Sequence, residues 1–417
     1  MHIGIVGPIA TLDVQHLLHG DISKLPQGYS GGPLLATLMG ELIKRGHTVS
    51  AFTLTNDLPA IKKTSVVALG NRFSLTYVPM RRRAWRPNGW LPGRIVDLYR
   101  FEIEELKLAI QHTQPDVLHA HWVYEFALAA TATNIPCVVT CHDSPYTIAK
   151  LSLKSRPTRS LYRWLRVIMA LRTFKRAQYI TAVSPYMRDA VQALTRYPIT
   201  VVPNPVDAIA VSTGKLRSVQ KCPQIAMVCN GWDAWKNPKP GLIAFTQLQR
   251  HISTAQLHLY GADFGPGQIA QQWCTAQGID QGLHFHGPLS HHQLLQRLGA
   301  HDLLLHTSIE ESFGMVIAEA MAMGLPVVAG ESSGAVPWVV GSNGCLCDIT
   351  SASAIEKTLL KALDATRYGQ LSQSGMDAVR RRFSTPAVVD LFLAQYELAM
   401  AHTASKDLGP SNSRLST

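Results

Sequence analysis

Apolar and polar positions alternate along this chain in two registers that take turns. Short apolar runs predict buried strands at "HIGIV" (2–6), "TVSAFTL" (48–54), "PDVLHAH" (115–121), "PCVVT" (136–140), "QYITAV" (178–183) and "ITVVP" (199–203). Between them lie stretches such as "PLLATLMGELIKRG" (33–46), apolar at helical spacing and closed by Gly46. The second half repeats the scheme with "QIAMVCNG", "QLHLYGAD", "LHFHG", "DLLLHTS" and "LPVVAG". Such alternation predicts parallel sheets with crossover helices, an α/β chain of two Rossmann-like domains. "VVPNPVD" (201–207) separates the halves, because its two prolines disfavour helix on either side. The polar, strand-poor segment 208–221 reads as a link. The expected domains are 1–205 and 206–384, with a helix at about 385–400 packing back on the first. Residues 403–417 carry too little apolar content to pack and are expected to be disordered. Ligands of such sheets bind outside the C-terminal strand edges, so the expected site is a cleft between domains whose edges face one another.

The length of 417 residues with 46% hydrophobic content agrees with two cores rather than one. No apolar run reaches the eighteen residues of a membrane span. "MHIGIVGPIA" lacks the basic start and the apolar length of a signal peptide, so the expected location is cytoplasmic. Seven cysteines, including a lone C-x-C at Cys345 and Cys347, show no metal-finger spacing and read as buried free thiols. The formal charge of +11 is uneven: residues 1–210 hold 24 Lys/Arg against 13 Asp/Glu, and the rest 15 against 15. An anionic partner would therefore meet the first half.

Four motifs carry candidate chemistry. Gly31 and Gly32 precede a helix, where a glycine pair lets backbone amides approach a phosphate; the other reading is an ordinary loop. No G-x-G-x-x-G follows the first strand, which argues against a dinucleotide-binding oxidoreductase. His119 falls within a strand and reads as a core histidine, whereas His121 with Trp122, and His142 with Asp143, stand at strand exits. There, histidine can donate to a hydroxyl-rich or anionic ligand and Asp143 can accept from one. Lys236, in the turn after the second domain's first strand, can place its ammonium on a diphosphate, or be a solvated surface lysine. In "IEESFGMVIAEAMAMGLPVVAG" (309–330), Glu311 and Glu319 sit among core residues. Buried carboxylates need a partner, either a ribose diol or a structural cation. Ser312 is expected to cap a helix starting near Phe313, with Glu311 outside it and Glu319 about two turns in.

At this last motif the chain resembles a known family. "EESFGMVIAEAMAMGLPVVAG" resembles the E-x7-E signature of the retaining glycosyltransferases of family 4 (glycosyl transferases group 1), which have the GT-B fold. "GGPLLATLMGELIKRGHTVSAFTL", "PDVLHAHW", "VVTCHD", "ITAVSPYMRDAV", "VVPNPVD" and "HFHGPLSHHQLLQRLGAHDLLLHTS" follow that family's order over roughly residues 1–400. The resemblance implies that Glu319 binds the donor's ribose and that Glu311, with the backbone of Phe313 and Gly314, contacts the donor sugar. It implies a diphosphate-binding role for Lys236, a place near the phosphates for Gly31 and Gly32, and a place beside the sugar for His142. The family's usual arginine, five residues before the lysine, is Gly231 here, leaving Lys239 or a residue of the other domain to neutralise the diphosphate.

What the resemblance implies is a retaining transferase, using a nucleotide sugar as donor substrate and no cofactor. The chain contains no D-x-D metal-binding pair, which fits a metal-independent reaction. The acceptor is expected to be a glycan or a lipid-linked molecule meeting the basic half, with His121, Trp122 and Asp143 on the acceptor side. Residues 150–176 hold nine Lys/Arg and no acidic residue. Arg159, Arg163 and Arg166 fall on one helical face, and Leu161, Trp164, Leu165 and Ile168 on another. With "MRRRAWRPNGWLPGR", which contains Arg81, Arg82, Arg83 and Arg86, this suggests a peripheral contact with an anionic membrane on its cytoplasmic side. A solvated helix face is the alternative, and no nucleic-acid motif accompanies the charge. Rival functions are a nucleotide-sugar epimerase or hydrolase on the same fold, and a non-catalytic binding subunit.

Overall fold

The computed structural model describes residues 1–62, 64–154 and 157–407. It divides into two units, the first comprising 1–183, 187–202 and 389–417, the second 184–186 and 203–388. The first unit holds β1 (His2–Val6), β2 (Thr48–Thr55), β3 (Val66–Gly70), β4 (Phe73–Pro79), β5 (Val117–His121), β6 (Cys137–Cys141), β7 (Tyr179–Ala182) and β8 (Ile199–Val201). They form one sheet in the order β3-β4-β2-β1-β5-β6-β7-β8. Every pairing is parallel except β3 with β4. The second unit holds β9 (Gln224–Val228), β10 (Gln256–Tyr260), β11 (Leu283–Gly287), β12 (Leu303–Leu305), β13 (Val327–Gly330) and β14 (Cys345–Cys347). Its order is β11-β10-β9-β12-β13-β14, all parallel.

Fully buried apolar strands explain both sheets. Ile3, Ile5 and Val6 of β1, Val117 and Leu118 of β5, and Leu303, Leu304 and Leu305 of β12 have no exposed surface, as expected where helices cover both faces. The strand order reverses direction beside β1 in one sheet and beside β9 in the other. These are the points where a crevice opens at the strand ends.

Several expectations change. Strands β3 and β4 are missing from the sequence reading; they form an antiparallel edge pair turning at Arg72, whose φ is 53°. The segment read as a link packs into the second unit. Arg217 donates to the carbonyls of Gly299, His301 and Met323 at 2.6–3.0 Å, so a polar side chain supplies what apolar content did not. Cys222 is exposed and Cys137 and Cys345 half-buried; the other four cysteines are buried, and all are free thiols. The last helix runs Thr385–Asp407, with its residues from Val389 in the first unit. Of the 403–417 stretch, residues 408–417 lie outside the described residues.

The basic surface also differs. Arg81 has no exposed surface and is gripped by Asp97 at 2.8 Å and Glu102 at 2.6 Å. Arg166, on the helix Pro157–Arg176, is turned inward, 3.1 Å from the buried Glu125 and 4.0 Å above the Tyr124 ring. Leu161, Trp164, Ile168 and Leu171 are exposed on this helix, together with Arg159, Arg172 and Lys175. Arg166 therefore does not share a solvent face with Arg159, because a carboxylate with 2% exposure needs its charge inside. Residues 155 and 156 of the basic stretch lie outside the described residues.

Candidate functional site

In the second unit, candidate residues meet where the strand order reverses. Lys236 lies in the loop after β9, and Glu311 in the loop after β12. The Lys236 ammonium is 2.8 Å from Glu311 Oε1. His306, one residue past β12, brings Nε2 to 3.4 Å from the same oxygen. Burial pushes the Glu311 carboxyl up, but the facing His306 ring and the Lys236 ammonium outweigh it and hold it down at about 2. Glu311 is thus an anion at any working pH. Its backbone is fixed as well: the Ala335 amide donates to the Glu311 carbonyl at 2.9 Å.

The following helix, Met315–Ala322, starts later than expected. Ser312 does not cap it; the chain enters through Gly314 at φ 94°, a conformation that favours glycine, and no side chain caps the end. The Ser312 carbonyl instead accepts from the Ser184 hydroxyl at 2.7 Å. Phe313 is buried, with its ring 5.3 Å from that of Phe383, which anchors the loop from below. Glu319 is the fifth residue of the helix rather than two turns in. It is 2% exposed, and its Oε1 lies 2.7 Å from His291 Nε2. The partner of this buried carboxylate is therefore neither lysine nor arginine but a histidine at the start of the helix His291–Leu298, which Ser290 and Gln293 close with a capping box.

Gly231 occupies the place of the family arginine with φ 115°, where a side chain would be strained. A Cβ there would meet Asp233 Oδ2 at 3.1 Å. Lys239 holds its ammonium over the indoles of Trp232 and Trp273, at 5.8 and 5.5 Å.

The remaining candidates belong to the first unit. Gly32 sits against the loop after β1; a Cβ there would meet the Pro8 carbonyl oxygen at 2.7 Å. Gly31, at φ 141°, turns the chain into the helix Leu34–Lys44. His121 ends β5 and His142 follows β6, with His121 Nδ1 2.9 Å from His142 Nε2. Trp122, at φ 65°, stacks its indole on His142 with centroids 4.3 Å apart. Burial pushes His142 down to about 3, and burial with the neighbouring imidazoles holds His121 well below the ordinary histidine range, so both rings stay neutral. Asp143 accepts from the Tyr124 hydroxyl at 2.8 Å. Burial raises its carboxyl above the ordinary range, against the pull of that hydrogen bond and of Arg166. His119 is a core residue as read, bridging the Tyr396 hydroxyl at 2.7 Å and Thr140 Oγ1 at 2.6 Å.

Two site residues escaped the sequence reading. His306 stands at a strand exit in "LLLHTS", the same signal that singled out His142. His291 follows the cap residue of "LSHHQLL", a helix start where a side chain can face the sheet edge.

Residues 33–209 match the model of Glycosyltransferase Family 4, and residues 222–365 that of Glycosyl transferases group 1. The chain is 24% identical over 355 residues to N-acetyl-alpha-D-glucosaminyl L-malate synthase of Bacillus anthracis, covering 78% of this chain and 87% of that protein. A 108-residue stretch, 25% of this chain, is 37% identical to probable sucrose-phosphate synthase 5 of Oryza sativa subsp. japonica and spans only 11% of that protein. Among solved structures, sucrose-phosphate synthase from Thermosynechococcus elongatus is similar with a TM-score of 0.70 and 16% identity, over 96% of this chain and 100% of that one. At that identity the likeness establishes the fold.

Proposed function

Since the chain belongs to the group 1 glycosyltransferases and has their GT-B fold, we propose that it moves a sugar from a nucleotide-diphosphate donor to a glycan or lipid-linked acceptor. The transfer would proceed with retention, in polysaccharide or glycolipid synthesis. The observation that carries the proposal is the meeting of Lys236, His306 and Glu311 at the reversal point of the second sheet.

Breaking the bond between sugar and diphosphate develops negative charge on the leaving oxygen. Lys236 is the cation to meet it, exchanging Glu311 for a diphosphate oxygen. Glu311, freed from the lysine but ionised, accepts from sugar hydroxyls. Glu319 accepts from the ribose diol, taking the place His291 fills in the free protein. His142 contributes on the sugar side, and Trp122 and Asp143 on the acceptor side; His121, expected there too, has no exposed surface and faces His142 instead of an acceptor. No cofactor or metal is needed in this scheme.

A lipid-linked acceptor would be reached from a membrane surface. Leu161, Trp164, Ile168 and Leu171 form an exposed apolar stripe, and Arg172 and Lys175 flank its end. An apolar stripe with cationic neighbours suits an anionic bilayer surface. Among the described residues no helix is long and apolar enough to cross a membrane.

The test is incubation with a panel of nucleotide sugars, with and without glycan, lipid-linked and small anionic acceptors. A glycosylated acceptor supports the proposal. Free sugar or an epimer formed without acceptor would favour the hydrolase or epimerase. Donor binding with no turnover across the panel would favour a binding subunit.

A further inference from the structure

The two histidines at the exits of β5 and β6 constrain each other's protons. His121 is fully buried and His142 is 7% exposed. Burial keeps both neutral, so each ring carries one N–H and one bare nitrogen. Across the 2.9 Å contact between His121 Nδ1 and His142 Nε2, one nitrogen must donate and the other accept. The deciding atom is His121 Nε2, which is buried and has no hydrogen-bond partner among the described residues.

Two arrangements are available. If His142 donated, His121 would have to carry its own proton on Nε2, stranding an N–H in the interior. If His121 donates from Nδ1, its Nε2 is a bare lone pair and no N–H is stranded. Buried N–H groups without a partner are rarer than under-used acceptors, so the second arrangement is favoured. We infer that His121 is a positioning residue that donates from Nδ1 to His142 Nε2, fixing the His142 proton on Nδ1 and making His142 a hydrogen-bond donor to a hydroxyl of the bound sugar. Trp122 completes the device by stacking on the His142 ring at 4.3 Å and an interplanar angle of 29°. The ring's plane is thus set by one neighbour and its tautomer by the other. With its proton on Nδ1 and its Nε2 engaged, His142 has no free nitrogen with which to take a proton from an acceptor hydroxyl.

The identity of the ligand as a sugar rests on the proposed function; the tautomer does not, which separates the two in experiment. The full chain, labelled with 15N-histidine, is examined by NMR at pH 7, with His142 signals assigned from the His142→Asn spectrum. The expected result is a protonated Nδ1 and a bare Nε2 on His142. A protonated Nε2, or a mixture of tautomers, would overturn the inference. In His121→Asn the side-chain amide places an N–H near the lost Nδ1, so the His142 tautomer should persist and kcat/KM should stay within about threefold. His121→Leu removes the donor; His142 should become a mixture, and kcat/KM should fall about tenfold, one hydrogen bond's worth. An unchanged His142 tautomer in His121→Leu sinks the idea. If that variant does not fold, the parent spectrum and His121→Asn decide. The expected tautomer in a chain that transfers no sugar would retain the inference and remove the functional reading.

Discussion

The two sheets reverse strand order in the same way, yet the two reversal points are built from opposite electrostatics. In the second unit the crevice holds an ion pair: Lys236 faces Glu311 at 2.8 Å, while the buried Glu319 lies 2.7 Å from a histidine, His291. In the first it is neutral: His121 and His142 share a proton position, and burial keeps both uncharged. The backbone plan is shared, so the difference lies in the side chains, and under the proposed function each set suits a different part of the substrate. Ionic pairs that can be exchanged suit a charged diphosphate. Oriented neutral dipoles suit hydroxyl groups, which need direction more than charge.

The sharpest way to break the contrast is through Arg166, an inward-turned cation of the neutral side. Arg166→Ala leaves Glu125 buried without its counter-charge and should destabilise the first unit by about 3–5 kcal/mol. Arg159→Ala, on an exposed residue, should stay within about 0.5 kcal/mol in the same chemical unfolding experiment. On the ionic side, Lys236→Met should lower kcat/KM by about 10²–10³ if the ammonium meets developing charge. A loss confined to donor KM would instead make it a simple binding group. Glu319→Ala should weaken nucleoside diphosphate binding by about ten- to a hundredfold in calorimetry while the fold survives. Unchanged binding in a folded variant would refute the ribose assignment.

Acid separates the two crevices by pH window. His142 has its folded pKa pushed down to about 3 from 6.5, so the unfolded chain takes up the proton first. Its contribution to stability is therefore complete above about 6.5 and is lost as pH falls toward 3. Glu311 is held at about 2 against an ordinary 4.5, so its contribution is present above 4.5 and is lost only as pH falls through about 2. Thermal unfolding of His142→Asn between pH 7 and 5 should show a flatter acid dependence than the parent. Glu311→Gln should match the parent's slope there and depart from it only below about 4.5.

How much of this was legible in the sequence follows from the range of the interactions. The strands at both reversal points were readable because buried parallel strands are short, continuous apolar runs. β3 and β4 were not, since Val67 and Leu69 sit exposed on an edge and the pair is antiparallel. Glu311 and Glu319 stood out because carboxylates in apolar company demand a partner. Which partner was decided by tertiary contact: His291 lies 28 residues from Glu319 and cannot be chosen from spacing. The same limit explains Arg81 and Arg166. Both look like surface charge until Glu102, 21 residues on, and Glu125, 41 residues back, close on them. The cap was misplaced because Ser312 is a good capping residue in isolation, whereas Gly314 had the backbone freedom the loop required.

The inward Arg166 links its helix to the crevice of the first unit. Its guanidinium rests on the Tyr124 ring at 4.0 Å, and the Tyr124 hydroxyl is bonded to Asp143 at 2.8 Å. Two contacts therefore lie between the core of the helix Pro157–Arg176 and a carboxylate beside His142. The outer surface of the same helix carries Leu161, Trp164 and Ile168. A displacement of this helix would therefore reach Asp143 through one ring face and one hydrogen bond.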